Sequence, residues 1–178
     1  TFYIVIKVII DEVDYFLDAT DKYLPFGTVP FKCLNGAARV FDFKKGSYWQ
    51  PIPTNNKNNF SISSSILLNE NGNIEVTSNV VNSGYFANDI RHKYNLNGKE
   101  AYIENLEVKL VDFEIEDYSI NYNSNLEKPI KESFTLLSDD DFSSEYKTSF
   151  NPYLISWVSS NPFKLKERKY PIDFIAPQ

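Results

Sequence analysis

Histidine and cysteine occur once each, as His92 and Cys33, and methionine is absent. One cysteine excludes an internal disulfide and a thiolate cage for a metal. A zinc site built on one His and one Cys would need two further carboxylates, so no metal is expected. The six glycines are scattered singly, which leaves neither a phosphate-binding loop nor a dinucleotide fingerprint. A G-x-S-x-G nucleophile elbow is missing too, and no cofactor is expected. Cations are not gathered either. The densest group, Lys164, Lys166, Arg168 and Lys169, includes Glu167, and the net charge is −6. That excludes a surface that follows nucleic-acid phosphates. No apolar run reaches the ~18 residues of a membrane span. The opening "TFYIVIKVII" is broken by Lys7 and lacks both a basic leader and a small-residue cleavage site. It reads as a buried strand continuing from a longer protein, not as a signal peptide.

Aromatic and apolar residues are abundant. Of 178 residues, 42% are hydrophobic, with 12 tyrosines and 14 phenylalanines. Such side chains suit half-buried pleated surfaces, and the expected class is α+β, mainly β: an antiparallel β-sandwich-like domain with an inserted pair of helices. Strands are expected over 2–10 and 14–18, joined by an acidic "DEVD" turn, and over 38–43. The stretch "QPIPTNNKNNF" (50–60), rich in proline and asparagine, reads as a linker. It divides the chain into 1–50 and a β-rich accessory domain, 51–178.

A hairpin follows, with Phe60, Ile62, Ile66 and Leu68 on one face and Ile74, Val76 and Val80 together. A loop of Glu70, Asn71 and Gly72 would pair Leu68 with Ile74 and Ile66 with Val76. Helices are expected near 84–95 and 98–110. Ser83 would cap the first, and Asn97 with Glu100 would form a capping box at the second. The alternation of "FEIEDYSINY" slips between Ile115 and Tyr118, which predicts a bulge near Glu116. "IKESFTLL", "YLISWV" and "RKYPIDF" complete the strands, the last placed at an edge by Pro171.

Candidate chemistry is sparse. A Cys33–His92 dyad is geometrically open, but a histidine on a helix surface is the simpler reading. The acidic "SDDDFSSE" (138–145) offers oxygen ligands without the spacing of a calcium loop, and reads as a solvated loop. Paired-acid chemistry needs two carboxylates facing one cleft, which a sequence does not display. Trp49, Trp157 and the tyrosines would bind a glycan or peptide only if several formed an exposed row; otherwise they serve the core.

"YFLDATDKYLPFG" (15–27) followed by "VPFKCLNG" (29–36) resembles the end of a transglutaminase-like domain in large envelope proteins of Bacteroidetes type. The closing "NPFKLKERKYPIDF" (161–174), with "SGYFANDIRHKY" and a second helix before it, resembles the C-terminal domain of unknown function in those proteins. Residues 1–50 would then be the terminal strands of the transglutaminase-like domain. The family triad is Cys, His and an Asp in a D-x-T context, which Asp18 and Thr20 match. The histidine's place falls most nearly on Tyr3, the nucleophile would lie before residue 1, and Cys33 follows the Asp, out of the family's chain order. A carboxylate with no imidazole to orient has no catalytic role, so no catalytic residue is assigned in this chain.

The resemblance therefore implies a non-catalytic structural or protein-interaction module. It would sit in the periplasm or cell envelope, with the upstream domains of its own parent chain as partners. The activity of the full-length parent is left open. Two alternatives stand beside this reading: a module binding carbohydrate or peptide, and a fragment of an active cysteine protease or transglutaminase whose Cys and His lie upstream.

Overall fold

The computed structural model describes residues 3–53, 57–68, 73–110 and 113–138. The expected strands "YLISWV" and "RKYPIDF", the acidic loop beyond Ser138, Trp157 and the basic group at 164–169 lie outside them. The described chain is mainly β and antiparallel, with eight strands and one kinked helix.

Two hairpins open the chain. Strands β1 (Ile6–Ile10) and β2 (Val13–Leu17) pair antiparallel, with Ile10 opposite Val13. The turn is shorter than the "DEVD" expectation: only Asp11 and Glu12 lie between the strands. Both have positive φ, 49° and 64°, the backbone that matches the twist of a two-residue hairpin. Strands β3 (Ala37–Asp42) and β4 (Gly46–Pro51) form the second hairpin. Strand β4 is a correction, because Gln50 and Pro51 were read as the start of a linker. Pro51 ends the strand opposite Ala37, where the loss of one ladder donor is tolerated.

Polar side chains join the two hairpins. Lys7 Nζ lies 2.9 Å from Asp14 Oδ2 and donates to Gln50 Oε1 at 2.7 Å, while Gln50 donates to Asp14 at 2.6 Å. Beneath this polar seam Phe16, Val29, Cys33, Leu34 and Ile52 form a small core. Ile52, just past the expected boundary at 50, belongs to it.

The larger unit is a four-stranded sheet of order β5-β6-β8-β7, made of β5 (Asn59–Leu68), β6 (Ile74–Ser83), β7 (Phe113–Asn121) and β8 (Ile130–Ser138). The β5–β6 register is the expected one, with Leu68 opposite Ile74 and Ile66 opposite Val76; the loop residues 69–72 lie outside the description. The predicted bulge is also present, between Ile115 and Asp117. The extra residue reverses the alternation, so Tyr118 and Ile120 point to the same side as Ile115.

Helix α1 (Tyr85–Glu107) covers that side. It is broken at Gly98, whose φ of 84° and ψ of 167° are non-helical, so two helical segments meet one residue past Asn97. The second segment stops at Glu107, short of the expected 110. The start also differs from expectation. Gly84, not Ser83, is the cap, and the Tyr85 N–H donates to Asn58 Oδ1 at 2.7 Å. A Cβ on Gly84 would lie 2.5 Å from that same oxygen, and its φ is +62°, so only glycine fits this corner. Ile74, Val76, Val80, Ile90, Ile130 and Leu136 are central to the core between helix and sheet. Strand β5 is less covered: Phe60 packs against this core, but Ile62, Ile66 and Leu68 on the same face stay 36–58% exposed.

Candidate functional site

Asp18 stands at the exit of β2, where the chain leaves the first hairpin for a proline-containing loop. The Thr20 N–H donates to its Oδ1 at 2.7 Å, closing an Asx turn. Its other oxygen accepts the Tyr3 hydroxyl, and the Thr20 hydroxyl lies 2.6 Å from the Tyr3 oxygen. Lys32 sits 4.1 Å from the centre of the Tyr3 ring. Burial acts to raise the Asp18 pKa, but the bonds from Tyr3 and Thr20 and the charge of Lys32 outweigh it. The carboxyl is held below the usual aspartate value and stays ionised at neutral pH. Tyr3, which the resemblance puts in the histidine's place, is thus the side chain that meets Asp18.

Cys33 and His92 go elsewhere. Cys33 ends a short 3-10 turn (Phe31–Cys33) and is buried in the hairpin core. Burial pushes its thiol pKa up, and the charge of Asp18 pushes in the same direction. A nucleophilic cysteine needs the opposite shift, toward thiolate.

His92 projects from α1 to Asp21, with its Nε2 2.8 Å from Oδ1. The Asn88 side-chain amide donates to Oδ2 at 3.0 Å and the Tyr23 N–H to Oδ1 at 3.0 Å. The Tyr23 ring meets the imidazole edge-on, centroids 4.8 Å apart. Burial opposes ionisation of Asp21, yet these partners hold its pKa below the usual value. The sole histidine therefore ties α1 to the loop after β2, and the Cys33–His92 dyad is not assembled. Among the described residues no group of three His, Cys, Asp or Glu side chains is placed to hold a metal.

Two buried ionisable groups escaped the sequence reading. Glu132, 4% exposed, lies between helix and sheet. The Tyr102 hydroxyl from α1 and the Tyr118 hydroxyl from β7 both donate to its Oε1, each at 2.8 Å. Tyr94 completes the aromatic wall, its ring stacked 6.4 Å from that of Tyr118. Desolvation raises the Glu132 pKa, against the lowering effect of the two hydroxyls. Burial and the neighbouring carboxylate also push both phenols up. The signal was in the alternation: in "IKESFTLL" the inward set is Ile130, Glu132, Phe134 and Leu136, and one of the four is an acid.

Arg91, 1% exposed, is the other. Its guanidinium donates to the carbonyls of Asn125 at 2.8 Å and Lys128 at 2.7 Å, with longer bonds to those of Asn123 and Tyr122. It organises the β7–β8 loop around a charge. That loop in turn meets the hairpin unit, where the Phe26 N–H donates to Glu127 at 3.3 Å.

No family model, no curated protein and no solved structure matches this chain.

Proposed function

We propose that the chain is a non-catalytic structural or protein-interaction module of a larger transglutaminase-like envelope protein. The observation that carries this reading is that the Tyr3 hydroxyl donates to Asp18, the residue that the resemblance equates with the triad carboxylate. The imidazole of the chain serves Asp21, and its thiol is buried with a raised pKa. Each of the three residue types is used to hold structure. The assignment of residues 1–50 as terminal strands of a transglutaminase-like domain, the boundary near 50, the β-sandwich-like character of the remainder and a location in the cell envelope belong to the same proposal. The separation of the hairpin core from the helix–sheet core supports the two-part division.

The partner surface on this reading is the first hairpin. Ile4, Ile6, Ile9, Ile10 and Val13 are 45–89% exposed, on a two-stranded sheet whose outer edges are unpaired among the described residues. Two strands alone are marginal in water. Upstream domains of the parent chain would add strands there and cover the apolar side chains. Hydrogen exchange compared between this chain and a form extended upstream tests it. Slower exchange over Ile6–Leu17 in the longer form is expected, and unchanged rates would contradict the docking.

The glycan- or peptide-binding alternative receives less support. The second hairpin exposes Trp49 and Phe41 rather than a row of three Tyr or Trp, and Arg39 stands 5.8 Å from the centre of the Trp49 ring.

A further inference from the structure

The second hairpin has two unlike faces. Tyr48 and Gln50 turn inward to Lys7 of the first hairpin. Arg39, opposite Trp49, and Phe41, opposite Ser47, share the outward face. The turn between Asp42 and Gly46 puts Phe43 at the apex beside Lys44 and Lys45. Phe41 is 79% exposed, Trp49 66%, and Phe43 has no cover at all, at 111%. The one acid in the turn, Asp42, accepts the N–H groups of Lys44 and Lys45 at 2.7 and 3.0 Å, and the Lys45 charge acts on it and on Asp14. Three exposed aromatic rings and three cations are therefore carried on the outward face and turn of one hairpin, in a chain whose net charge is −6.

A protruding apolar tip is costly to leave in water, and its shape constrains what covers it. A sugar would stack on a free ring face. Here the Arg39 guanidinium already lies over Trp49, and its Nη2 is fixed by a 2.8 Å bond to Ser47 Oγ. Membrane interfaces accept this combination: aromatic rings settle at the headgroup level, and Lys and Arg nearby are drawn to anionic lipid. The acidic remainder of the molecule would be repelled from the same surface, so approach would be tip first.

We propose that the β3–β4 tip is a peripheral docking surface for an anionic lipid bilayer. Phe41 and Phe43 enter the interfacial layer, Trp49 with Arg39 held over it lies at its edge, and Lys44 and Lys45 meet the headgroup phosphates. This surface is separate from the strands assigned to the upstream domains, and the proposal stands or falls independently of that docking.

The test is partition of the full chain into vesicles of phosphatidylcholine alone or with about one third phosphatidylglycerol. Co-sedimentation measures the partition. In a Trp157→Phe background Trp49 is the sole tryptophan, and its emission reports insertion. The expected result is sedimentation and a blue shift with the anionic vesicles only. Lys44→Glu with Lys45→Glu should lower the partition coefficient by about tenfold or more. Phe43→Ser, at a side chain with no fold contacts to lose, should lower it by about fivefold. Circular dichroism checks that both variants stay folded. Absence of partition, equal partition into neutral vesicles, or binding unchanged by either substitution would overturn the proposal; capture of another protein by the tip without lipid binding would do so as well.

Discussion

The hairpin unit and the helix–sheet unit use acids in opposite ways. In the hairpins Asp14, Asp18, Asp21 and Asp42 all accept hydrogen bonds as anions, and all four have lowered pKa values. In the helix–sheet core Glu132 is sealed from water, and desolvation raises its pKa. The cores differ in kind as well. The hairpin unit gathers five buried apolar residues and leaves several isoleucines in solvent, whereas helix and sheet together bury a cluster of eleven. The small unit combines polar contacts with a small core and exposes apolar side chains, while the large one has the larger buried core.

The largest effect is expected at Arg91. Arg91→Ala would strip donors from carbonyls of the β7–β8 loop and should cost about 3 kcal/mol or more, read as a lower urea midpoint. If the hairpins are a separate core, Phe16→Ala should cost about 3 kcal/mol locally. Hydrogen exchange should then accelerate over residues 6–52 with the β6 and β8 amides still protected; equal acceleration in both units would erase the distinction.

A smaller change is expected at the buried acid. Tyr118→Phe removes one of two donors to Glu132 and should cost about 1–2 kcal/mol. Asn82 is fully buried and both amide atoms lack partners, so Asn82→Leu should stabilise the sheet by about 1 kcal/mol. Calorimetry distinguishes these signs directly.

The pH dependence sharpens the contrast. Glu132, with a folded pKa above its ordinary 4.5, contributes stability that is full below that value and is lost as pH rises through the folded pKa. Asp18 and Asp21, with folded values below 3.8, contribute stability that is present above 3.8 and is lost as pH falls through the lowered values. Glu132→Gln should flatten the first limb and leave the second unchanged, as followed by urea unfolding across pH.

What was legible follows from local rules. The β5–β6 register and the bulge near Glu116 came from period-two patterning, which turns costly when it slips. The helix break is legible in the Asn97 and Glu100 capping box, one residue from the non-helical Gly98. Strand β4 was obscured because Pro51 and the asparagines after it mimic a linker, although Tyr48 and Gln50 alternate with Trp49. The cap at Gly84 depends on Asn58, a neighbour in space rather than in the local sequence. Asp18 stands out only through the D-x-T context of the resemblance, and its contact with Tyr3, fifteen residues away, is made in space and not displayed by the local sequence. Glu132 and Arg91 are not legible in the same way, because charged side chains are mostly solvated and only tertiary packing turns these two inward.

The proposed non-catalytic role requires that Asp18 orient no reacting group. Ammonia release from a glutamine-containing peptide with an amine acceptor, run on the chain and on Asp18→Asn, tests it most directly. The account predicts that both give only the background rate. A rate in the unaltered chain that Asp18→Asn or Cys33→Ala abolishes would contradict it.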